Sequence, residues 1–226
     1  MKLGVLFSGG KDSTLALHKA AEKAEVVCLI TLVSKNKESF MFHTPNINVT
    51  LLQAEALGLP LILNATEGKP EEELKDLEEA IAQAFKDFKI DGIVTGAVES
   101  VYQATRIQQI CNRLNVWCVN PLWKRKQKTL LEETVVEGFK TMISGVFAYP
   151  LDKSWLGKQI DEDMIERLVA LSLEYGLSPS GEGGEIETTV LDAPLFKKKI
   201  EILDSKVEAQ GNSGVFRIKK ARLTKK

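Results

Sequence analysis

The sequence predicts an α/β fold: a doubly wound five-stranded parallel sheet with a smaller C-terminal α+β subdomain. Three observations point there. Apolar runs that read as strands buried on both faces recur at residues 3–7, 26–33, 61–64, 92–95 and 115–119. Helical patterns fill the intervals between them, the spacing of right-handed parallel units. Beyond about Lys124 the alternation gives way to a helix, a strand, a second helix and then strands. The division expected is 1–123 and 124–226, with the boundary between 120 and 150.

Leu3, Val5, Leu6 and Phe7 make the first run the central strand; it breaks at Gly9 and Gly10, and a helix follows from Asp12 to about Lys23. Residues 34–46 are polar, contain Pro45 and lie beyond the carboxyl end of the second strand, where ligands of open sheets collect. His43, in that stretch, reads either as a surface histidine or as a site residue. Residues 49–57 carry apolar side chains at helical spacing and stop at Gly58, with Pro60 beyond. Residues 70–88 form a long amphipathic helix, with Leu74, Leu77, Ile81, Ala84, Phe85 and Phe88 on one side and Glu71, Glu72 and Glu73 complementing its positive amino end. Gly96 ends the fourth strand, where bare backbone either admits a nucleotide or simply turns. The helix at 101–114 exposes Gln103, Arg106 and Gln109. In the second unit, 130–139 and 161–175 read as helices and 141–148, 186–190, 199–207 and 215–219 as strands. The ending KKARLTKK reads as a solvated basic tail.

Chemistry concentrates in two stretches. In SGGKDS, residues 8–13, Gly9 and Gly10 let the backbone bend and approach a ligand, Ser8 and Ser13 offer hydroxyls, and Lys11 offers a compact mobile cation. The first turn of the following helix leaves amides unpaired at the positive end of its dipole, a natural seat for an anion. Neither G-x-x-x-x-G-K-[ST] nor G-x-G-x-x-G is present, so the two common nucleotide loops are excluded. Asp12 beside a phosphate calls for a bridging cation, which points to Mg²⁺ held largely by water and phosphate oxygens. The second stretch is GEGGEIETTV, where Glu182, Glu185 and Glu187 crowd near glycines. Such like charges call for a cation, an arginine or a cationic substrate; the alternative is a solvated turn before a hairpin.

Composition bounds the function. The 226 residues are 44% hydrophobic and 27% charged with a net charge of −1, so there is no global basic field, and nucleic acid is disfavoured as a substrate. No apolar run is long enough to span a bilayer and Met1 leads directly into the first strand, giving the expectation of a cytoplasmic protein without membrane association. Cys28, Cys111 and Cys118 lack C-x-x-C spacing and are expected as free thiols, neither zinc ligands nor a disulfide framework.

SGGKDS after an N-terminal strand resembles the pyrophosphate loop of the N-type ATP pyrophosphatases, which cleave ATP to AMP and pyrophosphate while adenylating an oxygen. Taken with MFH at 41–43, YQATR at 102–106, PLW at 121–123 and EGGEIET at 182–188, the chain from residue 3 to about 220 resembles the diphthine–ammonia ligase family. Its archaeal members are short single chains, whereas eukaryotic relatives carry additional domains. The resemblance implies a PP-loop fold of the adenine nucleotide α-hydrolase-like, HUP type. It also implies ATP-dependent amidation, with ammonium, of the diphthine carboxylate on translation elongation factor 2, through an acyl-adenylate. It places ATP on Ser8, Gly9, Gly10, Lys11, Asp12, Ser13 and Gly96, with Lys11 and Asp12 catalytic and Asp12 toward Mg²⁺. Diphthine carries a trimethylammonium group, which an acidic strip with aromatics suits. Glu182, Glu185, Glu187, Tyr102, Arg106 and His43 are the substrate candidates, with Trp123 a further aromatic. Ser180 and Ile186 depart from the cysteine and aromatic common in relatives, which puts a thiol role there in doubt. No cysteine stands in a glutaminase setting, so free ammonium is the expected nitrogen donor. A homo-oligomer is compatible with the sequence. Two other readings stay open: a PP-loop tRNA-modifying enzyme, and a non-catalytic ATP- or AMP-binding module.

Overall fold

The computed structural model describes residues 1–34 and 45–226, so His43, with the MFH stretch, lies outside the described residues. Strands β1 (Lys2–Leu6), β2 (Glu25–Ser34), β3 (Leu61–Thr66), β4 (Gly92–Val94) and β5 (Trp117–Val119) form one parallel sheet in the order β3-β2-β1-β4-β5. β1 is the central strand, as its apolar run predicts. The chain winds outward from β1 to β3 and then crosses back to start again at β4 on the other side. That reversal opens a crevice at the carboxyl ends of β1 and β4.

Both faces of the sheet are covered. Helices α1 (Lys11–Ala21) and α2 (Thr50–Leu57) bury Leu15, Leu17 and Ala54 in a cluster with Leu3, Val5 and Leu29. Helices α3 (Pro70–Phe88) and α4 (Val101–Leu114) bury Leu77, Ile81, Ile107 and Ile110 with Cys28, Ile30 and Ile93 on the opposite face. Leu3, Val5 and Phe7 face one cluster and Leu6 the other, the two-residue alternation of a strand.

The C-terminal half comprises α5 (Gln127–Val136), β6 (Lys140–Val146), α6 (Glu162–Tyr175), β7 (Ile186–Asp192), β8 (Lys199–Gln210) and β9 (Ser213–Thr224). Its strands make an antiparallel sheet in the order β7-β6-β9-β8. Leu131, Ile143, Ile165 and Leu168 form its own cluster, but Val190, Phe196, Ile200 and Ile218 join the cluster of α1 and α2. This shared core presses β7 against the end of β1.

Two expectations are corrected. The helix expected at 130–139 spans Gln127–Val136, because Gly138 takes a left-handed conformation (φ 81°) and turns Phe139 into the core ahead of β6. KKARLTKK is no solvated tail: β9 continues to Thr224, pairing Ala221 with Ile202 and Leu223 with Ile200. Ala221 and Leu223, two residues apart, both pack onto the core cluster, and that burial outweighs the charge between them. Among the described residues no helix is long and apolar enough to cross a membrane.

Candidate active site

Phe7 continues the pairing of β1, its N–H donating to Ile30 O at 2.8 Å. The chain then reverses at Gly9, whose φ of 78° belongs to the left-handed region that favours glycine, and α1 begins after an extended Gly10. Gly10 O accepts from Thr14 N (3.1 Å), Thr14 Oγ1 (2.8 Å) and Ser13 Oγ (3.1 Å), which fixes the first turn. β7 secures the same turn from the other side: Val190 N donates to Gly9 O at 3.0 Å and Lys11 N to Thr188 Oγ1 at 3.1 Å. The two stretches that carry the sequence-level chemistry thus meet.

They meet at a cavity of about 620 Å³ at the carboxyl end of β1. Ser8, Gly10, Lys11, Asp12, Ser13, Gly96, Glu182 and Glu187 line it together. Gly9 turns its carbonyl to β7 instead. The apolar part of the wall includes Leu6, Ile30, Leu32 and Ile107. Four expected residues lie elsewhere. Tyr102 and Arg106 stack on one another, the guanidinium carbon 3.4 Å from the ring centroid, and α4 presents Gln103 and Ile107 to the cavity in their place. Glu185 accepts from Ser178 N at 3.0 Å through Oε1, and Trp123 lies beneath Lys124, 5.3 Å from its ammonium. Gly96 lines the cavity, yet the space a side chain would need is taken by protein: a Cβ there would sit 2.8 Å from Ser13 N.

Sequence reasoning missed Gln103, Thr188 and the fully buried Gln53. Thr188 carried a signal, since it belongs to EGGEIET; a lone glutamine inside a helix carries none. Ser180 is buried and its hydroxyl donates to Gln127 Oε1 at 3.0 Å, an anchor for the glycine turn that serine supplies without a thiol. The cysteines are free, as expected; burial pushes the Cys28 thiol up to about 12, and none of the three lines the cavity.

Charge in the cavity is unbalanced. Lys11, itself buried, is paired with Asp12 at 2.7 Å, and no other lysine or arginine lines the described walls. Burial, then the nearby Asp12 charge, pushes the Glu182 carboxyl up to about 7, although Lys11 pulls the other way. Burial pushes Glu187 to about 7 as well, against the pull of Lys11. Among the described residues no three His, Cys, Asp or Glu side chains cluster closely enough to hold a metal by themselves. Two desolvated carboxylates, with Asp12 beside the one lysine, nonetheless fit a cation that takes its remaining ligands from phosphate and water.

These shifts have a consequence for stability. In the unfolded chain Glu187 ionises near 4.5, so folding takes up a proton between about 4.5 and 7 and is progressively disfavoured as pH rises through that window. Glu187→Gln, in ligand-free protein, should leave Tm unchanged near the bottom of the window and raise it by roughly 3–6 °C at about pH 8. Thermal unfolding across pH checks this; a gain of equal size at both ends would contradict it.

The two halves match two family models in order: the diphthamide synthase N-terminal domain over residues 1–117 and the diphthamide synthase C-terminal domain over residues 126–224. A mouse protein named diphthine–ammonia ligase is 36% identical over 236 residues, covering 96% of this chain and 88% of its own length. The Schizosaccharomyces pombe protein of that name is 35% identical over 97% of this chain but only 39% of its own length. The extra length expected of eukaryotic relatives is therefore pronounced in the yeast protein and slight in the mouse one. A solved structure described as a predicted subunit of tRNA methyltransferase from Methanocaldococcus jannaschii aligns with a TM-score of 0.45 and 21% identity, over 86% of this chain and 98% of that one. With both halves of a two-part model matched in sequence, and relatives more than a third identical over almost its whole length, this chain belongs to the diphthamide synthase family.

Proposed function

We propose that this protein is an ATP-dependent diphthine–ammonia ligase, which amidates the diphthine carboxylate of translation elongation factor 2 with ammonium and yields diphthamide, AMP and pyrophosphate. The observation that carries the reading is one cavity walled on one side by the SGGKDS turn and on the other by the two glutamates of EGGEIET. A carboxylate does not accept an amine until one of its oxygens becomes a good leaving group. Adenylation meets that need: the carboxylate oxygen bonds to the α phosphorus, and the bond from that phosphorus to the bridging oxygen breaks. Ammonium gives up a proton, the ammonia formed attacks the acyl carbon, the bond to AMP breaks and a second proton is lost.

In this reading the turn at Ser8–Ser13 holds the β and γ phosphates, and Leu6, Ile30, Leu32 and Ile107 offer the adenine an apolar slot. Lys11 meets the charge that develops on the bridging oxygen. Glu182 and Glu187 face the trimethylammonium group, whose arrival favours their ionised form. Mg²⁺ held through Asp12 and phosphate oxygens would neutralise charge on the leaving pyrophosphate. Residues 124–226, which supply both glutamates, form the substrate-side unit. The protein acts in the cytoplasm, where its substrate works.

The test is to combine the protein with ATP, Mg²⁺, ammonium and diphthine-bearing elongation factor 2. AMP and pyrophosphate should form in step with the amide, and only when the modified factor is present. Turnover independent of that factor would remove the substrate assignment. Glutamine offered in place of ammonium should give no product, since no cysteine lines the described cavity to release its nitrogen.

A further inference from the structure

Gln53, on α2, is fully buried and belongs to neither sequence stretch. Its Nε2 donates twice, to Gly9 O and to Val190 O, both at 2.8 Å. Its Oε1 is buried with no hydrogen-bond partner among the described residues and packs against Gly9 so closely that a side chain at Gly9 would collide with it. A buried polar atom left unpaired is destabilising. An apolar side chain of the same volume would serve packing at lower cost, so packing does not account for a glutamine here.

The two donations do something packing cannot. Gly9 O receives Gln53 Nε2 and Val190 N together, which fixes the plane of the peptide joining Gly9 to Gly10. That peptide is trans, so the Gly10 N–H points opposite to the Gly9 carbonyl, away from β7. Gly10 lines the cavity, and among the described residues its N–H meets only the Ser8 hydroxyl at a long 3.4 Å, a contact an anion can replace.

We propose that Gln53 is a positioning residue of the pyrophosphate loop, holding the Gly9 carbonyl to β7 so that the Gly10 amide is set for the terminal phosphates of the nucleotide. This rests on the reading of the loop given above. It predicts a loss confined to ligands that carry those phosphates. Gln53→Met keeps the volume and removes both donors; Gln53→Leu serves the same comparison should methionine not fold. Calorimetric titration should show ATP and pyrophosphate binding about 10-fold more weakly to the variant, with AMP affinity within about twofold of the unaltered protein. A merely structural role would weaken AMP and ATP alike, and that result, or no change for ATP, overturns the role of Gln53 alone. Failure of pyrophosphate to compete with ATP on the unaltered protein would instead overturn the loop reading beneath it.

Discussion

Lys11→Met should lower kcat/KM for pyrophosphate release by about a thousandfold, the size of effect expected when a preorganised charge is removed from a developing anion in a water-poor site. The structure gives the reason in local terms. Lys11 is the single lysine or arginine on the described cavity walls, and it faces Asp12, Glu182 and Glu187. Without it, no lysine or arginine of the described walls offsets Asp12, Glu182 and Glu187 when a triphosphate enters, and none stands beside the bridging oxygen of the breaking bond. Lys11→Arg should not rescue. The Lys11 side chain is 5% exposed, and a planar guanidinium requires more room and a different geometry than a compact ammonium. The measurement is steady-state pyrophosphate release with saturating ammonium and modified elongation factor. A Lys11→Met protein within tenfold of the unaltered one would sink the assignment of Lys11 to the chemistry.

The loop and the parallel units around a central first strand were legible in the sequence because their signals are local. An apolar run, a glycine break and a helix opening specify the strand, turn and helix without reference to distant residues. What escaped depends on partners far along the chain. Arg106 looked available because its helix face is partly exposed, but Tyr102, four residues earlier, takes its guanidinium, while Gln103 and Ile107 turn to the cavity. Glu185 precedes β7 and bonds to Ser178, whereas Glu182 and Glu187 reach the cavity; no spacing rule inside a glycine-rich turn separates the three. The last residues read as a basic tail because lysines dominate them. Ala221 and Leu223 become strand positions only once β8 is beside them.

Gly96→Ala should reduce kcat/KM by about 100-fold while lowering Tm by roughly 5 °C, because the added methyl has nowhere to go except into the start of α1. A Cβ at this position would lie 2.8 Å from Ser13 N, 2.9 Å from the Asp12 carbonyl carbon and 3.1 Å from its oxygen, all backbone atoms. The loop cannot retreat. Thr95 N donates to Val119 O at 3.0 Å, Thr95 Oγ1 donates to Asn120 Oδ1 at 2.6 Å, and Ala97 N donates back to Thr95 Oγ1 at 3.1 Å. The helix must yield instead, and the turn that yields carries Lys11, Asp12 and Ser13. Gly96 does not have a positive φ, so alanine adds no torsional strain there and the effect is a steric one. This changes what the residue says about the site: Gly96 is small because α1 needs the space, and bare backbone for a nucleotide is not required to explain it. Pyrophosphate release and thermal unfolding, measured on one preparation, test both halves of the claim. Unchanged kcat/KM together with the expected fall in Tm would show that the first turn of α1 can shift without disturbing the chemistry, which the placement of Lys11 argues against.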